Sequence, residues 1–365
     1  MQFTTRFLAI LGAVLASQPV VHASSLVSRT VEKRATICNG YAELCERSYG
    51  SLAYVGTHNS YAVGVNQLSA NQDHNITTQL NDGVRLLQVQ AHLENGVIRL
   101  CHTSCQLFDG DTFEKYLGTV RTWLDANPNE VLSILIVNAD NVPAGQYAAA
   151  YAATGLDSIS YRPPNPALGY LEWPTLGELI DSNQRLVTFL STTANQAEVP
   201  YLIDQFTNVW ETAFNVVTSF DCNVNRQNGD PQNMLYLVNH YLDKLLLGQP
   251  VPFIERLNET NAASGPGSLG EQVERCSGQH GRPPNFLLVD FYEYGGGSVF
   301  QVASQINGVP YDPVTPVARP QPTSAGTQTS TPRGNNAQPF VQGSHLVALA
   351  SLFVGSVIVA PFLVL

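Results

Sequence analysis

At 365 residues the chain is long enough for one large domain, and with 44% apolar residues it can bury a sizeable core. Its formal net charge is −11, with only three lysines (Lys33, Lys115, Lys244) and no basic run. That balance excludes a nucleic-acid surface, which needs clustered cations to displace counterions.

The chain opens on Arg6, an apolar stretch over 7–16 and the small-residue site Val21-His22-Ala23, which together predict a secretory signal peptide over 1–23. Lys33-Arg34 is a dibasic processing site, so 24–34 reads as a pro-segment and the mature chain begins near Ala35. Six cysteines follow the signal. An even number in an oxidising compartment reads as disulfides rather than metal ligands. Six half-cystines allow ~15 connectivities, and sequence alone leaves the choice open; proximity suggests Cys38 with Cys45, Cys101 with Cys105, and Cys222 with Cys276.

Apolar, β-branched runs at 52–55, 84–89, 98–101, 131–137, 185–190, 234–238 and 286–289 predict short buried strands of a largely parallel sheet. Between them, 112–126 sets Phe113, Tyr116, Leu117, Val120 and Leu124 on one helical face, with Asp111 as N-cap and Pro128 beyond the end. Further helices are expected over 144–153 and over 175–181, the latter entered through Pro174. Gly295-Gly296-Gly297 reads as a flexible turn. There is no GxGxxG and no Walker loop, which removes support for the nucleotide-binding open sheets. An open doubly wound sheet and a closed barrel both accommodate the pattern. Asn75-Ile-Thr and Asn258-Glu-Thr are glycosylation acceptors and must then be exposed.

The domain reads as 35–311, followed by a disordered Pro/Ser/Thr/Gly-rich stalk over 312–345 and an apolar run over 346–365 with nothing charged after it. Small residues, a polar spacer and a terminal apolar tail form a GPI-attachment signal, whereas a transmembrane helix normally carries a cytoplasmic Lys or Arg. Gly334, Asn335 and Asn336 stand at a suitable distance for the anchor.

In parallel α/β folds the working residues lie at the carboxyl ends of the strands. Here the apolar runs lead to His58 and Asn59, to Gln88, Gln90 and His92, to His102, to Asn138 and Asp140, to Asn239 and His240, and to Asp290 and Glu293. Two histidines suit displacement at phosphorus, one removing a proton from the attacking hydroxyl and one supplying a proton to the leaving oxygen. Asp290 is the candidate to orient one of them. His58, His92, His102 and His240 also suggest an imidazole cluster for zinc, but no closely spaced ligand pair supports it.

Val55-Gly-Thr-His58-Asn59-Ser-Tyr61, Gly83-Val-Arg85-Leu-Leu-Gln88-Val-Gln90 and Leu100-Cys-His102 resemble the X region of phosphatidylinositol-specific phospholipases C and their fungal PLC-like relatives. The resemblance implies a distorted (β/α) TIM-type barrel. It puts the catalytic pair on His58, as general base on the inositol 2-hydroxyl, and on His102, as general acid to the diacylglycerol oxygen. The implied partner is a phospholipid or lipid-linked inositol phosphate, met outside the cell by an anchored protein. Asn59, Gln88, Gln90, Asn138, Asn239 and His240 would line the phosphate pocket. Calcium-dependent members carry carboxylates where this chain has Gln88, Gln90 and Asn138, and metal-free members carry an arginine where it has Gln90. Neutral amides give calcium little affinity, so no cofactor is expected and calcium is disfavoured. Arg85, Arg162 and Lys244 are the candidates to meet the phosphate instead, although the strand parity of Arg85 favours a structural role. The alternative is a weak or inactive barrel kept as a cell-surface or wall-associated binding protein.

Overall fold

A computed structural model describes residues 1–2, 34–65, 67–313 and 315–321. The expected signal peptide, pro-segment, GPI site, apolar tail and most of the stalk lie outside the described residues.

The strands are β1 (Tyr54–Thr57), β2 (Leu86–Glu94), β3 (Val97–Cys101), β4 (Asp109–Thr112), β5 (Leu132–Asn138) and β6 (Leu186–Leu190). They continue with β7 (Leu202–Asp204), β8 (Val209–Glu211), β9 (Leu235–Asn239), β10 (Asp243–Leu246), β11 (Gln249–Pro252) and β12 (Phe286–Val289). The helices are α1 (Ile76–Asp82), α2 (Phe113–Ala126), α3 (Ala144–Thr154), α4 (Leu176–Asp181), α5 (Gln205–Asn208), α6 (Leu257–Thr260), α7 (Leu269–His280) and α8 (Ser298–Asn307).

The order β7-β6-β5-β2-β1-β12-β9-β8 is parallel throughout. Its two edge strands, β7 and β8, are consecutive in the chain and joined by α5 alone. The sheet therefore curls until its edges approach, yet β7 and β8 do not pair, which makes this a distorted (β/α) TIM-type barrel. Strand alternation sorts its side chains into two layers. Leu86, Leu135, Val187, Phe189, Leu235, Leu237, Phe286 and Leu288 fill the interior together with Tyr49, Tyr54 and Trp173, which plug the amino-terminal end. Leu87, Val89, Ile134, Ile136, Val238, Leu287 and Val289 face the helices. Each fully buried apolar side chain in either layer contributes about 1.5–3 kcal/mol.

Run 98–101 departs from the parallel expectation. β3 returns antiparallel on β2, with Glu94 opposite Val97 and Ala91 opposite Leu100. The cause is Asn95-Gly96, both in the left-handed region at φ 53° and 80°, the two-residue turn that matches strand twist. Helix α2 has the expected face buried, but its N-cap is Thr112, whose Oγ1 accepts from Lys115 N at 3.2 Å. Asp111 pairs with Lys115 Nζ at 2.6 Å instead. Helix α4 carries a reciprocal capping box between Thr175 and Glu178. The glycine run is not a plain turn: Gly297, at φ 94°, caps α8, which begins at Ser298.

The three disulfides pair as expected, Cys38–Cys45, Cys101–Cys105 and Cys222–Cys276. Asn75 and Asn258 are both exposed. The domain also runs past residue 311. Ala318 N and Gln321 N donate to Asp82 Oδ2 and Asp73 Oδ2 at 3.1 and 2.9 Å, and Val317 packs on the core.

Candidate active site

β1 and β12 pair in register, Thr57 opposite Val289. The next residue on each strand, His58 and Asp290, thus emerges on the same inner side. His58 Nδ1 donates to Asp290 Oδ1 at 2.8 Å, and Asp290 Oδ2 accepts from Asn71 Nδ2 at 3.0 Å. The imidazole lies flat on Tyr241, with ring centroids 3.9 Å apart and planes at 4°. Asn59 Nδ2 reaches His58 Nε2 at 3.1 Å. A ring whose Nδ1–H is held by a carboxylate presents Nε2 as a base. Gly56 makes room one step earlier: a Cβ there would stand 2.8 Å from Leu86 Cδ2.

His102 arrives from the opposite direction. β3 descends along β2 and ends at Cys101, and the Cys101–Cys105 disulfide closes the loop around His102. Its Nδ1 donates to Ser69 O at 2.7 Å, which leaves Nε2 free to carry a second proton. Burial pushes its pKa below the ordinary histidine value, opposed by the Ser69 carbonyl. The two imidazoles stand edge to face, centroids 6.4 Å apart and planes at 82°.

Both histidines line one cavity of about 590 Å³. Leu135, Val137, Leu237 and Leu288 belong to its apolar lining, with Gln88, Gln90 and Asn239 among its polar groups. Asp243 lines it too. Burial, reinforced by the Asp290 charge, raises this carboxyl to about 7, while His58 opposes the shift. Arg226 reaches the cavity in the grip of Glu211, its Nε 2.6 Å from Glu211 Oε1.

The family model described as PI-PLC X 1 matches residues 44–307. The chain belongs to the PI-PLC X family.

Among its relatives is "PI-PLC X domain-containing protein 1" of Arthroderma benhamiae, 39% identical over 312 residues that cover 84% of this chain and 99% of the relative. An "Uncharacterized secreted protein" of the same organism is 45% identical over 286 residues, 75% of this chain. The match spans 65% of that relative's length. Of solved structures, the phosphatidylinositol-specific phospholipase C from Listeria monocytogenes is 14% identical with a TM-score of 0.49, over 71% of this chain and 94% of that one.

Within this PI-PLC X barrel the sequence-derived site residues divide. His58, His102, Asn59, Gln88, Gln90 and Asn239 share the cavity, with Asp290 directly behind His58. Asn138 and His240 do not line it. On β5 the inward positions are Leu135 and Val137, so Asn138 faces outward, opposite Ala91, and holds Val142 O and the Tyr147 hydroxyl. On β9 Asn239 faces in, so His240 faces out and is buried between Gln272 Oε1 and Thr260 O. Burial lowers its pKa to about 4, the mark of a neutral packing histidine. His92 turns to Asp140 at 3.3 Å, so the four histidines do not converge on a zinc position.

The amides do not fit calcium. Gln88 Oε1 accepts from Asn59 N at 2.6 Å and Gln90 Oε1 from Thr103 N at 3.0 Å, so each of these neutral oxygens already serves a backbone donor. A hard cation wants charged oxygen ligands, and among the described residues no three His, Cys, Asp or Glu side chains gather to hold a metal. Arg85 pairs with Glu130 and packs on Trp123, while Arg162 and Lys244 are engaged by Asp157 O and Glu255. None of the three lines the cavity.

Sequence reasoning missed Asn71, Tyr241, Asp243, Glu211 and Arg226. Tyr241 and Asp243 had a signal, the period of two carried on from Asn239. Glu211 sits on β8, whose three residues are too short to register, and Arg226 lies in irregular chain with no pattern to find it by.

Proposed function

We propose that this protein is an extracellular phosphoric diester hydrolase acting on a phosphatidylinositol-type or other glycerophospholipid headgroup. His58 Nε2 takes the proton of the inositol 2-hydroxyl, whose oxygen forms the new bond to phosphorus. His102 Nε2 gives a proton to the diacylglycerol oxygen as its bond to phosphorus breaks, and a cyclic inositol phosphate is the first product. Asp290 holds the base ring in its tautomer, and Tyr241 holds its plane. The observation that carries this reading is the pair of imidazoles 6.4 Å apart in one cavity, each with its Nδ1 tied to a separate acceptor. The secreted name of the Arthroderma relative and the signal peptide expected over 1–23 support an extracellular site of action, and the tail pattern supports a proposed GPI anchor near Gly334, Asn335 and Asn336.

The test is phosphorus NMR on lipid vesicles incubated with the mature protein, following the cyclic phosphate. His58→Ala and His102→Ala should each lower the rate by about 10²–10⁴-fold, the range of general acid–base groups. Undiminished turnover in either variant would remove that histidine from the mechanism.

One observation favours a second reading, a binding barrel with little turnover. Gln88 and Gln90 bring no charge to the phosphorane, and Arg226 is neutralised by Glu211. A site lacking such a clamp forfeits several kcal/mol of transition-state stabilisation. Tight binding of inositol phosphate by an inactive wild type would support it.

A further inference from the structure

Past α8 the chain turns back across the barrel. Val317 packs on the core, Ala318 N donates to Asp82 Oδ2 at 3.1 Å, and Arg319 O accepts from His74 Nε2 at 2.9 Å. Gln321 donates twice to Asp73, from its backbone N to Oδ2 at 2.9 Å and from Nε2 to the carbonyl oxygen at 3.1 Å. Residues 317–321 thus form a strap across α1, tied to Asp73 and His74 before that helix and to Asp82 at its end. The net worth of four hydrogen bonds is no more than the conformational entropy lost in ordering five residues. Global stability therefore does not account for the strap.

Its place beside the site does. Asp73 ends a five-residue segment that begins at Ser69, and this segment orients both histidines. Ser69 O accepts from His102 Nδ1 at 2.7 Å. Asn71 Nδ2 donates to Asp290 Oδ2 at 3.0 Å, and the other oxygen of that carboxylate holds His58 Nδ1. The centre of the segment is fixed to the barrel: Asn71 N and Gln72 N donate to Ala62 O at 2.9 and 3.1 Å, and Phe291 N donates to Asn71 O at 2.9 Å. Bonds at the centre leave the tilt of the segment to its flanks. On one flank the tilt is stopped at Asp73, whose carboxylate and carbonyl both meet Gln321.

We infer that Asp73 and Gln321 are positioning residues, which fix the 69–73 segment and through it keep each catalytic imidazole with Nδ1–H on its acceptor and Nε2 facing the cavity. Residues 317–321, assigned by composition to the stalk, are on this inference a support of the site. The effect on rate rests on the two-histidine reading, whereas the effect on the rings does not depend on turnover. Small displacements of reacting groups cost up to about 10²-fold in rate, so a support remote from the chemistry is worth having.

The test is nitrogen NMR of the histidine rings in the full chain, with signals assigned by their loss in His58→Ala and His102→Ala. Gln321→Pro removes the backbone donor and the side-chain donor together, at an exposed position that touches neither ring. It should convert the neutral rings from the single Nδ1–H form, which the Ser69 carbonyl and Asp290 impose, to a mixture of tautomers. Turnover of a soluble inositol phosphodiester should fall by about tenfold or more in kcat, with KM changed less than about twofold. Asp73→Ala should do the same, and Asp73→Asn, which keeps an acceptor oxygen for Gln321 N, should restore both the tautomer and the rate. Wild-type tautomers in Gln321→Pro overturn the inference even where Tm falls, since the strap then serves stability alone. Altered tautomers with kcat intact also overturn it. Should Asp73→Ala fail to fold, Gln321→Pro supplies the same readout. If the wild type turns nothing over, the catalytic reading fails and the ring signals still decide the strap.

Discussion

His58 and Asp290 each stand one residue past the paired rung Thr57–Val289, and that register alone sets Nδ1 of the ring 2.8 Å from the carboxylate. Asn71 holds the other carboxylate oxygen at 3.0 Å, which leaves Asp290 little freedom to turn away.

Replacing Asp290 with Asn keeps the size and removes the charge that favours the imidazolium formed during proton transfer. Asp290→Asn should lower kcat by about 10²-fold or more with little change in KM. A variant that raises KM and spares kcat would mean that Asp290 serves binding and leaves the ring's basicity alone.

His102, as the proposed general acid, should set the pH profile. A general acid works only while protonated, and burial lowers the pKa of this one below the ordinary histidine value. The rate should therefore fall on the alkaline side from a point below that value, giving an acidic optimum. A rate that stays level through the ordinary histidine range would show that another group donates the proton.

Chelation is the test of the amides. With Gln88 and Gln90 oxygens given to backbone N–H groups, turnover should be unchanged by EDTA and not raised by added calcium. Loss of activity in EDTA that calcium restores would reveal a ligand set other than these residues.

Glu293 lies outside the cavity lining and is fully buried, its carboxyl pushed up to about 9 by burial and then by the nearby Asp73 and Asp82 charges. The folded state thus binds this proton more tightly than the unfolded one. Stability is lost as pH rises from the unfolded value of 4.5 through about 9. Glu293→Gln does not titrate, so its Tm advantage over wild type should be larger at about pH 8 than at about pH 5. An advantage independent of pH, measured by thermal unfolding, would refute the charge argument.

Much of the barrel was legible because its signals are local. The apolar runs of β1, β2, β5, β6, β9 and β12 stand where expected, and so does the buried face of α2. The hairpin that reverses β3 was written in Asn95-Gly96, the strongest short-range hairpin signal, and went unread. Strands β7 and β8, three residues each, carry no periodicity to detect and are held by their neighbours in the sheet.

The sequence by itself determined the family, and brought His58 and His102 forward as candidates, because the motifs that carry the resemblance are contiguous stretches of chain. Proximity along the chain suggested a disulfide pairing, and the folded chain decided it. Only the tertiary structure decided which polar residues belong to the cavity. Alternation says that neighbours on a strand face opposite sides, but which set faces inward is fixed by register with the adjacent strands. That phase turned Asn138 and His240 away from the cavity, and it brought in Tyr241 and Asp243, whose chemistry no linear motif announces.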